Sequence, residues 1–326
     1  MQFQFKKIAR GLIAGLTLSV AAAGANAQAL KLGHITPPTH VWHQVSEKIA
    51  TDLAGATEGK MKIAVSPLQK LGNEAQMINL MQSGAQQFGV FTVGGLSNRE
   101  ESFLAWSLPY VFKDVAHATR AASTAAAKEM LARLEQHGMI GLGYAFAGMR
   151  HVLSLQPVVS AGDLANKKIR SFPNPVYNDW WSANGAAPTA MPLSEVAPSL
   201  TTKLLDAVDV DLDALVGLKF HQQAPNLTLT GHMAFPAVIV VSKKWWDSRS
   251  QADRELILKV VTAAEQWGFK TAIDADVTNL DKAKADGANV VAGDMASFQA
   301  VGGKVRDQYT AKNPLIADFY RQAKDL

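Results

Sequence analysis

Two arginines stand where the sequence predicts buried strands. Arg150 lies just beyond the apolar run of residues 140–146, and Arg170 lies between the apolar residues Ile169 and Phe172. An unpaired guanidinium in such a place costs several kcal/mol, so each arginine requires an anionic partner. That partner is either an internal carboxylate or the carboxylate of a ligand, held in a cleft by two parallel hydrogen bonds from the planar guanidinium. Residue chemistry alone leaves both interpretations open.

Aspartates alternate with apolar residues near the middle of the chain, ending at Asp213. We predict a strand over about residues 208–215, which places Asp209, Asp211 and Asp213 on one face because successive side chains of a strand point in opposite directions. Three neighbouring carboxylates repel one another, so this face must meet water, an arginine or a cationic ligand. A solvent-exposed edge is the alternative interpretation.

Patterns for catalysis or cofactor binding are weak or absent from the sequence. His40 and His43 have an i, i+3 spacing that could hold a metal, but Trp42 lies between them and no H-E-x-x-H pattern accompanies them, which favours ordinary packing. Neither a G-x-S-x-G motif nor a nucleotide-binding glycine pattern occurs. The chain has no cysteine, which excludes thiol nucleophiles, disulfides and Cys-ligated metals. We therefore predict no catalytic residue, no metal and no cofactor.

The composition is that of a folded, nearly neutral protein. The chain has 326 residues, 48% of them hydrophobic and 18% charged, which suits two domains and excludes disordered and collagen-like classes. The formal net charge is +4, but three of the cations lie in the leader described next, so the remainder carries +1 (4 − 3). A protein of this charge is not expected to bind nucleic acid or an anionic membrane surface.

Residues 1–27 have the three parts of a secretory signal peptide. Basic residues at positions 6, 7 and 10 precede an apolar stretch over 11–23, and small residues follow up to Ala27. The apolar stretch is about 13 residues long, shorter than the roughly 20 needed to cross a bilayer, which favours cleavage after Ala27 over a membrane anchor. We predict a mature protein that is free in a bacterial periplasm and does not insert into the membrane.

After the leader, short apolar runs alternate with amphipathic stretches, which is typical of an α/β protein with mostly parallel sheets. Strands are predicted at about residues 30–34, 61–65, 88–93, 140–146, 167–172, 208–215 and 237–241, and helices at about 40–53, from 73 onward, and at 115–137, 179–184 and 193–204. The segment 251–286 follows a capping residue, Ser250, and contains no proline and one glycine. It predicts a helix of about 35 residues and about 50 Å, long enough to brace two domains.

Several sequence blocks resemble the DctP-type solute-binding proteins of TRAP (tripartite ATP-independent periplasmic) transporters. The blocks occur in the family's order over nearly the whole mature chain. They are Leu71-Gly72-Asn73-Glu74, Leu108-Pro109-Tyr110-Val111-Phe112, Lys168-Ile169-Arg170, Gly185-Ala186-Ala187-Pro188, Ser194-Glu195-Val196 and Val241-Ser242.

The resemblance implies a periplasmic binding protein fold, in which two α/β domains close on a solute by hinge bending. It also implies delivery of that solute to the membrane permease subunits of a TRAP transporter, and a receptor rather than an enzyme. We expect domain I to comprise residues 28–147 and 236–275, and domain II residues 148–235 and 276–326. A secreted α/β enzyme is the alternative from another class.

The resemblance also implies a ligand site. The arginine at the position of Arg170 usually pairs with the ligand carboxylate in this family, and Arg150 matches a second, less uniform arginine. The residues expected to contact the ligand are Arg170, Arg150, Asp209, Asp211, Glu74, His34 and Phe235.

One block departs from the family pattern V-D-G-x-E-N-P. Asp209 replaces the glutamate, and Asp211 is an additional acid. Added negative charge in the cleft would repel a plain dicarboxylate or a sugar acid, so this departure favours a small organic acid that bears a hydroxyl group. The alternatives are a small amine or zwitterion held by Asp209 or Asp211, and a role for the two aspartates in balancing Arg170.

Overall fold

The structure is a computed structural model that describes residues 29–326. The predicted signal peptide, residues 1–27, lies outside the described residues. Within residues 29–326, none of the helices combines the length and the apolar character needed to cross a membrane.

The strands form a mixed sheet system in which most neighbours are parallel at the edges and antiparallel at the centre. They are β1 (Leu30–Gly33), β2 (Ile63–Ser66), β3 (Phe88–Thr92), β4 (Met139–Ser154), β5 (Lys168–Ser171), β6 (Ala187–Ala190), β7 (Ala207–Asp211), β8 (Asn226–Thr228), β9 (Ala234–Ser242) and β10 (Asn289–Val291).

Helices cover the faces of this system. They are α1 (Val41–Ala56), α2 (Glu74–Ser83), α3 (Val93–Leu96), α4 (Val115–Ala121), α5 (Ala125–Arg133), α6 (Pro175–Ala183), α7 (Val196–Thr201), α8 (Leu212–Leu218), α9 (Lys243–Asp247), α10 (Gln251–Ala285), α11 (Met295–Gln299), α12 (Gly302–Lys312) and α13 (Pro314–Ala323). Within the described residues, 3-10 turns lie at Glu101–Ser107, Leu134–His137, Ala161–Leu164, Leu193–Glu195 and Phe220–Gln222. The predicted helices at 115–137 and 193–204 are therefore each divided into shorter pieces.

The strand order is β2-β1-β3-β9-β4-β7-β5-β6, with β8 beside β4 and β10 beside β8. Two parts can be distinguished by their partners, and we call them sheet A and sheet B. Sheet A contains β2, β1, β3, β9 and the first part of β4, and sheet B contains the last part of β4 with β7, β5, β6, β8 and β10.

The long strand β4 connects the two sheets. It pairs with β9 as far as Met149 and with β7 from Arg150 onward. The predicted strand at 140–146 was thus too short, and Arg150 lies inside β4 rather than beyond it. The apolar run stops at residue 147, but backbone pairing continues past Gly148, whose φ of +150° favours glycine. The change of partner falls close to the expected domain boundary between residues 147 and 148, which stays a prediction.

Helix α10 confirms the predicted 35-residue helix. Its buried residues Ile257 and Val261 belong to the larger of two apolar cores, and Ala283 belongs to the smaller core beside β7 and α8. The carboxylates of Glu265 and Asp276 accept hydrogen bonds from backbone N–H groups of β4 at 2.7 and 3.2 Å. The helix is therefore bound to the connecting strand at two points, on either side of residues 145–148.

The strand predicted over 208–215 ends earlier than expected. Strand β7 stops at Asp211, whose side chain accepts a hydrogen bond from Ala214 N at 2.8 Å and so caps α8. Asp213 lies in the first turn of that helix. The alternating pattern predicted a longer strand, but Asp211 can accept hydrogen bonds from the first N–H groups of a helix. A helix therefore begins after Asp211, where the alternation alone would continue the strand.

Candidate functional site

A cavity of about 270 Å³ lies between α2 and α3 on one side and the ends of β5 and β6 on the other. Part of its wall is apolar, formed by residues such as Ile35 and Phe172. Its polar lining residues are Gln69, Asn73, Glu74, Asn98 and Arg170. One cation, one acid and three amides around an apolar wall are typical of a site for a small polar molecule.

Arg170 is held in place without an acidic partner. It is 3% exposed, and its guanidinium donates two hydrogen bonds of 3.2 Å to the carbonyl oxygen of Met191 and stacks on the ring of Phe172 at 3.9 Å. No carboxylate of residues 29–326 forms an ion pair with it. Burial lowers the pKa of Arg170 to about 10, with Asp209 opposing this effect and Arg150 adding to it. The guanidinium of Arg170 is therefore able to form an ion pair with an anion in the cavity.

Glu74 begins α2 and lines the same cavity. Its two carboxylate oxygens accept hydrogen bonds from Thr92 N at 2.6 Å and Thr92 Oγ1 at 2.8 Å. Burial raises the pKa of Glu74 to about 7, although the bonds from Thr92 act in the opposite direction. A β-carbon on Gly95 would lie 2.4 Å from Glu74 Oε2, so glycine at this position leaves room for the acid.

The loop between β2 and α2 brings an amide to the cavity. Leu68 and Gln69 both have left-handed backbones, with φ of 55° and 59°. A non-glycine residue with this backbone conformation is strained, and such residues are concentrated at functional sites. The loop is held by hydrogen bonds from Leu68 N to Thr36 O and from Gln69 N to His34 O. The sequence analysis did not identify Gln69 and Asn98, since neither lies in a motif. The positive φ of Gln69 was also not predictable, because the residue is not a glycine.

Arg150 has a different environment from Arg170. Its Nε lies 3.1 Å from Asp209 Oδ2, its Nη2 lies 2.9 Å from Asp209 Oδ1, and its Nη1 lies 3.2 Å from Asp211 Oδ2. Its Nη2 also donates to the carbonyl oxygen of Asp209. The antiparallel pairing of β4 with β7 places Arg150 directly opposite Asp211. For this arginine the structure shows the internal salt bridge, whereas Arg170 has no carboxylate partner among residues 29–326.

The two aspartates are fully buried, so the solvent-exposed edge was wrong. Burial, the largest single influence, raises the pKa of each acid. Arg150 and His232 together outweigh it for Asp209, and His40, Arg150 and the Ala214 N–H together outweigh it for Asp211, so both pKa values lie at about 2. His232 Nε2 lies 3.6 Å from Asp209 Oδ2, and His40 Nε2 lies 3.5 Å from Asp211 Oδ1. Arg150 lies within ion-pair distance of both acids and so offsets part of their charge. The expectation that these acids repel a sugar acid stays a prediction.

A narrow extension of the cavity, of about 10 Å³, reaches this ion-pair cluster. It shares Arg170 and Phe172 with the main cavity and is lined further in by Arg150 and Phe235. That volume is about what one water molecule requires. Asp209 and Asp211 line the same extension, so they lie behind the main cavity and not on its wall.

The last two predicted contacts lie in different places. Phe235 packs between Trp42, with ring centroids 5.2 Å apart, and Phe172, at 5.1 Å, and it supports the aromatic wall beneath Arg170. His34 is fully buried and lines neither the cavity nor its extension. Its imidazole bonds to Thr36 Oγ1 and to His43 Nδ1, both at 3.0 Å. Among residues 29–326, no group of three or more His, Cys, Asp or Glu side chains could hold a metal ion.

Solved structures share this architecture. A TRAP periplasmic solute-binding protein from a Bradyrhizobium species, in complex with D-galacturonate, is 26% identical with a TM-score of 0.87, covering 92% of this chain and 100% of that chain. One from a Polaromonas species, bound to D-erythronate, is 25% identical with a TM-score of 0.86, covering 91% and 98%. The fold thus defines the class of protein as a two-domain periplasmic binding protein, which confirms the predicted fold class.

Sequence comparison identifies the family. The model for DctP, the bacterial extracellular solute-binding protein family 7, matches residues 32–313, so the chain belongs to this family. A curated relative, the 2,3-diketo-L-gulonate-binding periplasmic protein of Escherichia coli, is 27% identical over 97% of this chain and 96% of its own length. Family membership makes this chain a solute-binding receptor and not an enzyme, which confirms the prediction.

Proposed function

We propose that this protein is the periplasmic receptor of a TRAP transporter for a small polyhydroxylated monocarboxylate, a sugar acid. The observation that carries the proposal is Arg170, a buried guanidinium that faces a cavity and lacks an acidic partner among residues 29–326. A ligand carboxylate supplies that partner through two charge-assisted hydrogen bonds. Three relatives support the class, since their bound or named solutes are all hydroxylated or keto acids with one carboxylate.

Glu74 supports one carboxylate over two. It lines the same cavity as Arg170, so a second carboxylate on the ligand would lie near an acid. A hydroxyl group can instead donate to the ionised form of Glu74 or accept from its protonated form, and both forms are present near pH 7 because the pKa is about 7. The amides of Gln69 and Asn98 offer further donors and acceptors for hydroxyl groups. The amine and zwitterion alternatives lose their support, since Asp209 and Asp211 are engaged with Arg150.

The first experiment is a thermal-shift and calorimetry screen with D-galacturonate, D-erythronate and 2,3-diketo-L-gulonate. Succinate tests the preference for one carboxylate, and D-galactose is a control with hydroxyl groups but no carboxylate. A ligand at 100 times its dissociation constant adds about 2.7 kcal/mol to the free energy of unfolding. We expect a sugar acid to stabilise the protein and D-galactose to have no effect. Stabilisation by D-galactose or by succinate, with none from the sugar acids, would contradict the proposed class.

Export and delivery complete the proposed function. We expect the exported protein to begin at Gln28, which N-terminal sequencing of a periplasmic fraction measures. Delivery is tested in proteoliposomes that contain the permease subunits of a TRAP transporter from the same organism. Uptake of the bound acid should require both the receptor and an ion gradient, and uptake at the same rate without the receptor would contradict the proposed role.

A further inference from the structure

The ligand site does not use Asp213, the third acid of the alternating run. Asp213 is 7% exposed and lines neither the cavity nor its extension. Its Oδ2 accepts a hydrogen bond of 2.7 Å from Val41 N, and its Oδ1 accepts one of 3.2 Å from Asn279 Nδ2. A buried carboxylate with two specific donors is held in one orientation, which gives the side chain a defined role in the structure.

The bond to Val41 joins elements of different sheets. Val41 is the first residue of α1, which follows β1 of sheet A, and Asp213 is in the first turn of α8, which follows β7 of sheet B. The first N–H groups of a helix lack partners inside the helix and carry its positive partial charge, so a carboxylate is the acceptor that they favour most. The next N–H, from Trp42, donates to His40 Nδ1, which leaves Val41 N to Asp213.

Close packing at Gly217 of α8 supports the same interface. A β-carbon on Gly217 would lie 2.7 Å from Thr39 Oγ1 and 3.0 Å from Pro37 Cγ, both in the segment that precedes α1. Contacts this short require that one side move. Helix α8 therefore lies directly against the segment that leads into α1, and a glycine in the last turn of α8 permits that approach.

We propose that Asp213 is a positioning residue that latches the two domains in the closed arrangement. When the domains separate, water must replace Val41 N at the carboxylate, so the bond stabilises the closed state and not the open one. A bond that stabilises the closed state increases the apparent affinity for any acid that fits the cavity, although Asp213 does not contact that acid. The inference rests on the proposed function, because it assumes that closure around a solute is the binding step.

The experiment compares wild type with Asp213→Ala and Gly217→Ala. Release of D-galacturonate is followed by stopped-flow fluorescence, and the ligand-free distance distribution is measured between spin labels at Lys62→Cys and Thr201→Cys, two exposed positions in a chain that has no cysteine of its own. Asp213→Ala should speed release about tenfold, as removal of one charge-assisted bond predicts. It should also reduce the fraction of ligand-free molecules in which the two spin labels are close together.

Gly217→Ala separates a latch from a merely structural contact. Alanine has a higher helix propensity than glycine, and separation of the domains relieves its contacts with Thr39 and Pro37. The variant should therefore release D-galacturonate faster without unfolding at a lower temperature. The matched control is Asp281→Asn, which removes a charge from the 81% exposed side chain of Asp281 on α10 and should change neither measurement. Unchanged release and unchanged ligand-free distances in both variants would overturn the latch. If D-galacturonate fails to bind wild type, the proposed ligand is in error, and the distance distributions alone decide the latch.

Discussion

Replacing Arg170 with methionine should affect ligand binding and stability differently. Burial lowers the pKa of Arg170 to about 10, against an ordinary value of roughly 12.5, which corresponds to about 3 kcal/mol of unfavourable free energy for the charged form in the ligand-free protein. Because the side chain is only 3% exposed, solvent screening does not remove this cost. The substitution relieves the cost but leaves the carbonyl of Met191 without its donors, a loss of about 1–3 kcal/mol. The two effects nearly cancel.

The effect of Arg170→Met on ligand binding is not offset in this way. A ligand carboxylate in the cavity would be desolvated and unpaired in Arg170→Met, which costs about 2–5 kcal/mol. At about 1.4 kcal/mol per factor of ten, affinity should fall by about 30-fold to several thousandfold. Arg170→Lys should also bind poorly, since an ammonium group cannot reproduce the planar fork.

Calorimetry with the best acid from the screen and ligand-free thermal unfolding measure the two effects separately. Arg120→Met, at an exposed arginine, is the matched control and should leave both unchanged. We expect Arg170→Met to unfold within a few degrees of wild type, or above it, while binding is lost. A variant that binds within threefold of wild type refutes the ligand contact. A large fall in unfolding temperature would instead refute the claim that the charge is uncompensated in the ligand-free protein.

Three further predictions concern the surroundings of Arg170. Arg150→Met should destabilise the protein by about 3–5 kcal/mol in urea unfolding, because it leaves Asp209 and Asp211 buried without their guanidinium, and a smaller loss would show that His40 and His232 compensate the two acids. Since the pKa values of both aspartates lie at about 2 in the folded protein, against roughly 3.9 unfolded, their stabilisation should be complete above about pH 4 and lost as the pH falls toward 2, and a thermal-unfolding series that shows no loss in this interval would contradict it. Gly95→Ala should weaken sugar-acid binding in calorimetry as much as Glu74→Ala does, because its β-carbon would lie 2.4 Å from Glu74 Oε2, and full affinity would show that the carboxylate has no part in binding.

Local signals in the sequence determined much of the fold. The 35 residues of α10 contain no proline and follow a capping serine, so local propensity and capping were sufficient to predict one long helix. Helix α2 begins at Glu74, next to the predicted start at residue 73, and Asn73 caps it. Predictions failed where local patterns compete with tertiary pairing. The apolar run of β4 ends at residue 147, yet its ladder continues to Ser154, because β7 and β8 supply partners that no local window contains.

The candidate site shows the same division. The sequence alone indicated that Arg150 and Arg170 are buried and that each needs an anion, since burial and charge are properties of a single position and its neighbours. Only the tertiary structure decided which of them is satisfied internally. The partners Asp209 and Asp211 lie about sixty residues from Arg150, and the register of β4 against β7 sets their distance. That register pairs Arg150 with both acids and leaves the charge of Arg170 directed at the cavity, because an ion pair depends on separation in space, which the order of residues along the chain does not specify.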